Sequence, residues 1–502
     1  MPQPPDPVSS HDPHSADALT RLLEARVDLE RARTVDYSAA EFNLRRMREL
    51  LGRIGNPHRR LAVIHVAGTK GKGSTAAMLA AILSAAGHRT GLYTSPHLNR
   101  VEERMAIDGQ PCSPRELNQL AAQVEPAVAA TDQALHASGA DGLGLTYFEV
   151  LTAMAMLWFV QRQVDLAVLE VGLGGRLDAT NVCHRRVSVI TSISLDHTQQ
   201  LGNTLASIAA EKAGIIKPGV PVVSCVTDQE PREVIRQIAW RQGCRLSELG
   251  VDFDFHYRPP RGPEAGAGLA SMDFRWLRGK GDSGYWRGQT GTGPLSPPQV
   301  YEDLPLRLWG RHQAANAATA LAALREIEAA GWSVPEAAVR TGLAQVVWPA
   351  RVEQLGRRPL VIVDGAHNVA SIEALLRTLD ESFPARRRRL IFAASHDKDC
   401  AGMLQRVVPR FDQVLLTRYQ TNPRAVPPEE LAAAAGAGRD LGEDGRCQVF
   451  ATPAEAWAEA RRRSGPEDLI CVAGSLFLAA ELRHLILNST STHSSNPKAD
   501  QA

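Results

Sequence analysis

Lysine is scarce in this sequence. Seven lysines occur among 502 residues, and the other 49 of the 56 basic residues are arginine. Either genome composition favours arginine and a few lysines remain by chance, or arginine serves wherever a general positive charge is enough. Each lysine is a candidate for chemistry that arginine cannot supply, because only the lysine amine is compact and readily deprotonated on burial. The lysines occupy positions 70, 72, 212, 217, 280, 398 and 498.

An excess of charge is also lacking, since the 56 basic residues face 55 acidic ones and the net charge is +1. This balance gives no support to a nucleic-acid or polyanion binder, which would carry a basic excess. Cysteine is sparse and odd in number, with seven residues and no CxxC pair. We therefore expect neither a disulfide framework nor a zinc ribbon, and predict a reducing, cytoplasmic location.

No apolar run is long enough to cross a membrane. The most apolar stretch, residues 76–86, falls short of the ~20 residues that a bilayer requires. Residues 1–18 lack the apolar core of a signal peptide, and we expect them and the polar tail 488–502 to be disordered. The composition, with 44% hydrophobic and 22% charged residues, is that of a globular protein with about two to four domains.

Apolar segments alternate between strand and helix patterns along most of the chain, which predicts an α/β fold with ligands at the carboxyl ends of parallel strands. The predicted strands are 61–68, 165–173, 187–193, 220–226, 359–367, 389–395, 413–418 and 468–475. The predicted helices are 74–87, 148–163, 204–215, 312–330 and 370–380, with a closing helix after the last strand. Between about 254 and 300 the chain is rich in glycine and proline, so we expect an antiparallel excursion with long loops and no core element. We place a domain boundary near Trp309.

A glycine-rich segment follows the first of these strands and opens the first helix. Residues 68–75 read GTKGKGST, and glycines here let backbone N–H groups wrap around phosphates at a helix N-terminus. Lys72 would reach the outer phosphates. Because Gly73 follows Lys72, the order departs from the usual G-x-x-x-x-G-K-[ST] and predicts a variant phosphate-binding loop.

Two candidate metal ligands follow strands at the same predicted edge. Glu170 ends one strand, and His197 comes shortly after another. A carboxylate beside ATP phosphates is a natural Mg²⁺ ligand, whereas a neutral imidazole serves only beside other oxygen ligands. Taken alone, Glu170 could instead pair with Arg176, and His197 could be an ordinary loop residue.

Lys212 lies near the end of an apolar helix. A lysine there usually extends to solvent, but burial would lower its pKa and leave a nucleophilic neutral amine. Such an amine can add CO₂ to give a carbamate, which is an anionic oxygen ligand that arginine cannot form. Carbamylation of Lys212 is therefore a hypothesis of the sequence.

Nine motifs, in order from about residue 37 to 487, resemble the folylpolyglutamate synthase/dihydrofolate synthase family, a branch of the Mur ligase superfamily of ATP-dependent amide-bond ligases. They read HVAGTKGKGST, LYTSPHL, TYFEVLT, LEVGLGGRLDATNV, TSISLDHTQQLG, SIAAEKAGIIKPG, WPARVEQL, VDGAHN and AGSLFLAAELR. The resemblance implies a P-loop-containing, parallel-sheet ATP-binding domain of the Mur ligase central type at 19–309, with the excursion near 254–300 as an insertion. It further implies a Rossmann-like C-terminal glutamate-ligase domain at 310–487, and an active site in the cleft between the two.

The resemblance also implies an activity, in which a folate or dihydropteroate carboxylate is phosphorylated by ATP and the acyl phosphate is attacked by L-glutamate. The expected partners are these small molecules and two Mg²⁺ ions, with no nucleic acid or membrane, and we expect a monomer. Catalytic roles are implied for Lys72, Lys212, His197 and Arg351. Lys398 either helps to bind glutamate or closes the cleft, or else lies in a solvated loop.

Binding residues carry over from the matching motifs. The implied ATP contacts are Gly71, Lys72, Gly73, Ser74, Asn316, Arg351, Asp364 and His367. The implied metal ligands are Ser95 and Glu170 for one ion and His197 for a second, with a carbamylated Lys212. The implied pterin pocket is formed by Thr146, Tyr147, Phe148, Glu149, Leu177, Asp178 and Ala179.

The sequence departs from the family pattern at two places near these residues. Lys70 stands in the phosphate loop where the family commonly has asparagine, which adds a charge beside the phosphates. Residues 42–46 read FNLRR where some bifunctional members carry a Leu-Gly-Leu-type motif that binds pteroate. Two other functions stay open: a Mur-type ligase acting on a UDP-sugar acid, and a nucleotide-binding protein that has lost ligation.

Overall fold

The fold is described by a computed structural model over residues 18–24, 26–28, 44–137, 144–260, 268–277, 300–436 and 446–491. The termini predicted to be disordered lie mostly outside these ranges. Two of their edges were wrong, because Ala18 begins the first helix and the last helix continues through residues 488–491. Leu482 and Ile486 are buried in that last helix and anchor it to the core up to that point.

The described α-helices are α1 (Ala18–Glu24), α2 (Leu44–Arg53), α3 (Lys72–Ala85), α4 (Pro114–Ala137), α5 (Tyr147–Gln161), α6 (Thr198–Leu201), α7 (Leu205–Ala213), α8 (Gln229–Arg241), α9 (Arg311–Ala329), α10 (Glu336–Gln345), α11 (Val369–Ser382), α12 (Cys400–Val407), α13 (Pro428–Ala434), α14 (Pro453–Arg463) and α15 (Leu476–Ser491). Short 3₁₀ helices occur at Pro57–Arg59, Val101–Arg104, Ala179–Val182 and Val408–Arg410.

The described strands are β1 (Val63–Ala67), β2 (Thr90–Tyr93), β3 (Met105–Ile107), β4 (Gln110–Pro111), β5 (Leu166–Glu170), β6 (Arg185–Ile190), β7 (Val222–Ser224), β8 (Leu246–Glu248), β9 (Phe253–Arg258), β10 (Ala270–Trp276), β11 (Val300–Leu306), β12 (Glu353–Arg357), β13 (Leu360–Val363), β14 (Arg388–Phe392), β15 (Gln413–Leu416), β16 (Cys447–Val449) and β17 (Leu469–Ala473).

The first sheet has eight strands in the order β4-β3-β2-β5-β1-β6-β7-β8. From β2 to β8 all neighbours are parallel, and β3 and β4 add an antiparallel edge. Strands β1 and β5 are buried throughout, as expected of central strands covered on both faces. Helices α3, α9 and α10 pack on one face, and α1, α2, α4 and α5 pack on the other.

A separate antiparallel sheet in the order β11-β10-β9 follows the first sheet. This confirms the antiparallel excursion, but the expectation that it contributes nothing to the core was wrong. Phe253, Met272 and Phe274 are at most 1% exposed, and they pack in the same cluster as α3 and α9. The alternation of apolar and polar residues in β10 buries one face of this sheet. The glycine-rich segments 261–267 and 278–299 lie outside the described residues.

The third sheet has six strands in the order β12-β13-β17-β14-β15-β16, all parallel except β12. Helices α11, α12 and α13 cover one face, and α14 and α15 cover the other. The α/β class with mostly parallel sheets is therefore confirmed. No helix in the described part of the chain combines the length and apolarity needed to span a membrane.

The helix after the predicted boundary packs differently from the expectation. Trp309 stacks on Phe383 of the third sheet's core, with ring centroids 4.6 Å apart. Helix α9, which was predicted to open the C-terminal unit, instead buries its alanine- and leucine-rich face against the first sheet, and α10 packs on α3 in the same buried cluster. Apart from Trp309, the buried residues of this stretch join the third sheet's cores only after Val346. The division at 309 thus disagrees with the packing of the two cores, because periodicity predicts a helix but not its partner.

Candidate functional site

A cavity of about 1100 Å³ opens at the carboxyl ends of the strands of the first and third sheets. Its walls include residues 69–74 of the glycine-rich segment, the loops after β5 and β6, the start of α9, and the loops after β13 and β14. The carboxyl ends of parallel strands converge in this way because the crossover helices leave that edge open. Most of the predicted site residues line this single cavity.

The glycine loop adopts the geometry that its sequence predicts. Gly71 has φ +84° and forms the N-cap of α3, so the first N–H groups of that helix face the cavity. A Cβ at Gly73 would lie 2.8 Å from the Trp348 ring and 3.4 Å from a Glu170 oxygen, so only glycine fits there. Ser74 is buried in the first turn of α3. The glycines therefore leave a concave backbone surface, a cradle, which side chains at these positions would occupy.

Lys72 is weakly engaged. Among the described residues, its amine makes one hydrogen bond, a long one of 3.5 Å to the Thr69 carbonyl. An ammonium carries three donors and seeks acceptors when it is half-buried. The Lys72 amine therefore keeps donors available at the cradle, and its role as a phosphate ligand stays a prediction.

Glu170 ends β5 beside this loop, where Val66 of β1 is its neighbour across the parallel ladder. It is 4% exposed, and its Oε2 accepts the Ser95 backbone N–H at 3.2 Å. The structure therefore brings the predicted ligands Ser95 and Glu170 together at the phosphate loop. In the described part of the chain, no three His, Cys, Asp or Glu side chains are grouped closely enough to form a metal site by themselves.

Lys212 is buried in α7, with 5% of the residue exposed. Burial, reinforced by the nearby charge of Lys72, lowers the pKa of the Lys212 amine to about 7. The turn after β5 lies directly on this helix, since a Cβ at Gly175 would meet the Lys212 carbonyl at 3.0 Å. No hydrogen bond or ion pair to the amine occurs among the described residues. The burial that the carbamate hypothesis requires is present.

Asp196 is a residue that the sequence reasoning missed. Its side chain is 7% exposed and accepts hydrogen bonds from Lys70 and Lys398, each at 2.7 Å. Burial alone would raise the pKa of the Asp196 carboxyl, but the two lysines outweigh burial and hold the pKa below its ordinary value. His197 lies beside it, with the imidazole Nε2 4.0 Å from Asp196 Oδ1. The only available signal was that Asp196 precedes His197 in a motif already singled out.

The four predicted ATP contacts from the later part of the chain line the same cavity as the phosphate loop. Asn316 on α9 lies against Gly71, where an added Cβ would meet its carboxamide carbon at 3.0 Å. Arg351 lines the cavity and donates to the Ala350 carbonyl at 2.8 Å. Asp364 accepts the backbone N–H groups of Val352 and Ala366, both at 2.7 Å, and burial raises its pKa. His367, the fourth of these residues, also lines the cavity.

The predicted pterin pocket is only partly assembled as expected. Phe148, Leu177, Asp178 and Ala179 line the cavity together with Thr146 and Glu149. Tyr147 does not line it, because its ring lies under the Arg104 guanidinium, 5.4 Å away, beside a different surface pocket. The substrate role predicted for Tyr147 therefore has no support from its position.

Glu149 and Asp178 are engaged by the protein itself. Glu149 forms a capping box with Thr146 at the start of α5 and a bidentate ion pair with Arg46 of α2, at 2.9 and 3.1 Å. Asp178 accepts the N–H groups of Gly172 and Leu173 at 3.0 and 3.1 Å, and it also accepts from Thr180. These carboxylates shape the wall of the cavity. Arg46 was noted only as part of a departure from the family pattern, and nothing in the sequence showed its partner.

Comparisons with known proteins agree with this geometry. Two family models match, the Mur ligase middle domain over residues 66–254 and the Mur ligase glutamate ligase domain over 350–476. The chain is 32% identical over 445 residues to the dihydrofolate synthase/folylpolyglutamate synthase of Bacillus subtilis, covering 88% of this chain and 94% of the relative.

Solved structures resemble the whole fold. The folylpolyglutamate synthase of Mycobacterium tuberculosis complexed with ADP matches with a TM-score of 0.79 and 34% identity, covering 93% of this chain and 98% of that one. A bifunctional folylpolyglutamate synthase/dihydrofolate synthase with Mn, AMPPNP and L-glutamate bound matches with a TM-score of 0.72 and 31% identity, covering 89% and 95%. The resemblance found in the sequence is thereby confirmed: the chain belongs to the folylpolyglutamate synthase/dihydrofolate synthase family of ATP-dependent glutamate ligases.

Proposed function

We propose that this chain joins L-glutamate to a carboxylate of dihydropteroate or of a reduced folate, with conversion of ATP to ADP and phosphate. The observation that supports this most is the content of one cavity. It holds a glycine cradle with the weakly engaged amine of Lys72, the buried Glu170 and Lys212 beside it, and Arg351 facing them from the other wall. Nucleotide binding alone would not require a buried lysine at this place.

The first step would make a leaving group. A carboxylate resists attack by an amine, so one of its oxygens takes the terminal phosphoryl group of ATP, which forms an acyl phosphate and releases ADP. Lys72 and Arg351 line the cavity where they would offset charge on the transferring group. Fixed positive charges in a cavity sheltered from water stabilise such a transition state strongly.

The second step would form the amide. The amine of L-glutamate attacks the acyl carbon, the tetrahedral intermediate expels phosphate, and the proton lost from nitrogen leaves with phosphate or solvent. The chain contributes by holding the two reactants in line, which can supply most of the acceleration. No nucleophilic side chain is required for this sequence of steps.

The residues fit a divalent metal. Glu170 is buried at the edge of the glycine cradle, where oxygen ligands suit Mg²⁺. Ser95 and Glu170 would hold one ion, and His197 with Lys212 would hold a second. When bound, the metal supplies a Lewis acid that neutralises phosphate charge. As a carbamate, Lys212 would add the oxygen ligand that the neutral amine lacks.

Parallel ligation assays test this function. Purified protein is incubated with ATP, Mg²⁺ and L-glutamate together with dihydropteroate, tetrahydrofolate or a UDP-muramoyl acid, and the amide product is measured by mass spectrometry. We expect product with at least one of the two pterins and none with the sugar acid. Product only with the sugar acid would show a different Mur-type ligase, and no product from any acid would favour a nucleotide-binding protein without ligation.

Lys72→Met is the matched control for these assays. Ligation should fall below detection while the circular dichroism spectrum stays that of the wild type, because the Lys72 side chain lines the cavity and is not among the buried core residues. Normal turnover in this variant would contradict the phosphate assignment.

Three further features are proposed from the sequence. We propose that the protein is a cytoplasmic monomer and that the third sheet is a Rossmann-like domain. The free state of all seven cysteines is compatible with a reducing compartment.

A further inference from the structure

The phosphate loop carries two lysines whose amines have different partners. Lys72 has one long hydrogen bond, as described above. The Lys70 amine lies 2.7 Å from Asp196 Oδ2 and 2.5 Å from His367 Nε2. His367 belongs to the loop after β13 of the third sheet, 297 positions along the chain. Lys70 is therefore a direct link from the phosphate loop to the C-terminal part of the protein.

The backbone fixes the direction of this side chain. The Lys70 N–H donates to Ser192 Oγ at 3.0 Å, and its carbonyl accepts from Thr191 Oγ1 at 2.6 Å and from Ser192 Oγ at 3.0 Å. Both partners follow β6, so the loop is held to the first sheet at the residue that reaches across. Because the Lys70 backbone is fixed, a shift of the phosphate loop would move the Lys70 amine and, through it, Asp196 and His367.

The Asp196 carboxylate accepts hydrogen bonds from both sides of the cavity. Besides Lys70, it accepts from the Lys398 amine at 2.7 Å and, weakly, from the Asn368 amide at 3.4 Å. Lys398 and Asn368 lie on loops of the third sheet, whereas Asp196 follows β6 of the first. The side chains of Asp196 and Lys398 are 7% and 9% exposed, and that of Lys70 is 24% exposed. Water therefore screens these contacts far less than it screens a surface ion pair.

The chemistry of the contact determines the state of His367. An ammonium can only donate hydrogen bonds, so Nε2 of His367 accepts from Lys70. Its Nδ1 then carries the proton and donates to the Gly365 carbonyl at 2.7 Å. Two of the three N–H groups of Lys70 are thus used by Asp196 and His367. This use distinguishes Lys70 from a lysine that is directed at phosphate.

We propose that Lys70 is a positioning residue that couples the phosphate loop to the C-terminal loops through Asp196 and His367, so that the reacting groups on the two walls are brought into line. The inference rests on the proposed ligase function. Lys72 would hold the phosphates, and Lys70 would hold the opposite wall in place. Removal of Lys70 would then impair turnover more than ATP affinity, because both phosphoryl transfer, which uses Lys72 and Arg351 from opposite walls, and capture of the amine need the two walls in line.

The test compares Lys70→Met with Lys72→Met in the full-length protein. AMPPNP affinity is measured by calorimetry, and kcat and KM for L-glutamate by the ligation assay at saturating ATP. We expect Lys70→Met to bind AMPPNP within about threefold of the wild type and to lose about tenfold in kcat/KM for L-glutamate, a typical size for coupling between two sites. In Lys72→Met, the loss of AMPPNP affinity should be larger than the loss in KM for L-glutamate. Lys70→Arg keeps the charge and should recover part of the glutamate efficiency.

A double variant checks that Lys70 acts through Asp196. Because Lys398 engages the same carboxylate, Lys70→Met and Lys398→Met together should lose less than the product of their separate effects. Losses that simply multiply would overturn the shared role of Asp196. A rise in AMPPNP dissociation constant with unchanged glutamate kinetics would make Lys70 a phosphate ligand instead, and a fall in melting temperature with normal kinetics would reduce it to a structural residue.

Small-angle X-ray scattering separates failure of this inference from failure of the proposed function. With AMPPNP bound, Lys70→Met should have a larger radius of gyration than the wild type, whatever acid or amine the enzyme uses. Equal radii would overturn the coupling even if ligation of glutamate is demonstrated.

Discussion

Substitution of Gly71 by alanine tests the geometry of the phosphate loop most directly, because α3 supplies its own control. Gly71 precedes the helix with φ +84°, and Gly87 follows it with φ +88°. A Cβ at Gly87 would meet nothing within 4 Å, whereas one at Gly71 would overlap the Asn316 carboxamide. Gly71→Ala and Gly87→Ala thus place alanine in the same strained backbone conformation, and only Gly71→Ala adds a clash with the Asn316 side chain.

The magnitudes follow from these contacts. A left-handed alanine costs about 1–2 kcal/mol, and the stiffer unfolded chain returns about 0.4–1 kcal/mol, so Gly87→Ala should lose about 1 kcal/mol of unfolding free energy. At Gly71 the Asn316 side chain must also move, which breaks its 3.0 Å hydrogen bond to Gln313. That bond is buried and its loss costs about 1 kcal/mol. Gly71→Ala should therefore lose about 2 kcal/mol.

Urea unfolding followed by circular dichroism measures the difference, and calorimetry with AMPPNP measures the consequence for the site. We expect AMPPNP affinity to fall about tenfold, or about 1.4 kcal/mol, in Gly71→Ala and to stay unchanged in Gly87→Ala. Adding Asn316→Ala to Gly71→Ala removes the clash, and because the hydrogen bond to Gln313 is already lost in Gly71→Ala, the double variant should be no less stable than Gly71→Ala. Equal stability losses at Gly71 and Gly87 would refute the reasoning.

Three other predictions concern buried charges. Glu149→Gln removes the negative charge that pairs with the Arg46 guanidinium, at a site where both side chains are under 10% exposed. Urea unfolding should therefore show a loss of about 3 kcal/mol, which Arg46→Met should partly restore. A double variant less stable than Glu149→Gln would contradict this. Carbamylation predicts a ¹³C resonance after incubation with labelled bicarbonate that is missing in Lys212→Arg, and its absence from the wild type would refute the hypothesis. Burial, with the charge of Arg59 second, lowers the pKa of His58 from 6.5 to about 4. Because the unfolded chain then binds the proton more readily, stability should fall by up to about 3 kcal/mol as pH drops from 7 to 4, and His58→Gln should flatten that slope if His58 is its source.

The local parts of the site could be predicted from the sequence. The cradle depends on a strand, a glycine-rich turn and a helix that are consecutive in the chain, so its residues and its role were recognisable together. Glu170 and His197 were found because they follow strands whose carboxyl ends must meet at one edge. Lys212 was found because lysine is scarce and the helix around it is apolar.

Contacts between distant segments could not be predicted in this way. Asp196 was missed although its neighbour was named, because its partners Lys70 and Lys398 lie 126 and 202 positions away. Glu149 was expected to bind substrate, and only the structure shows it paired with Arg46, 103 positions away. Periodicity indicates which face of an element is buried but does not name what covers it.

The sequence by itself determined the α/β class, the phosphate loop and the family, since these depend on residue types in fixed local order. The tertiary structure alone decided which side chains remain available to a ligand. In it, the Lys72 amine has one long hydrogen bond, whereas Lys70, two residues away, contacts His367 on the opposite wall of the cavity. The physical reason is that an amine's partners are set by where the loops of two separate sheets meet, and that meeting depends on the packing of whole cores.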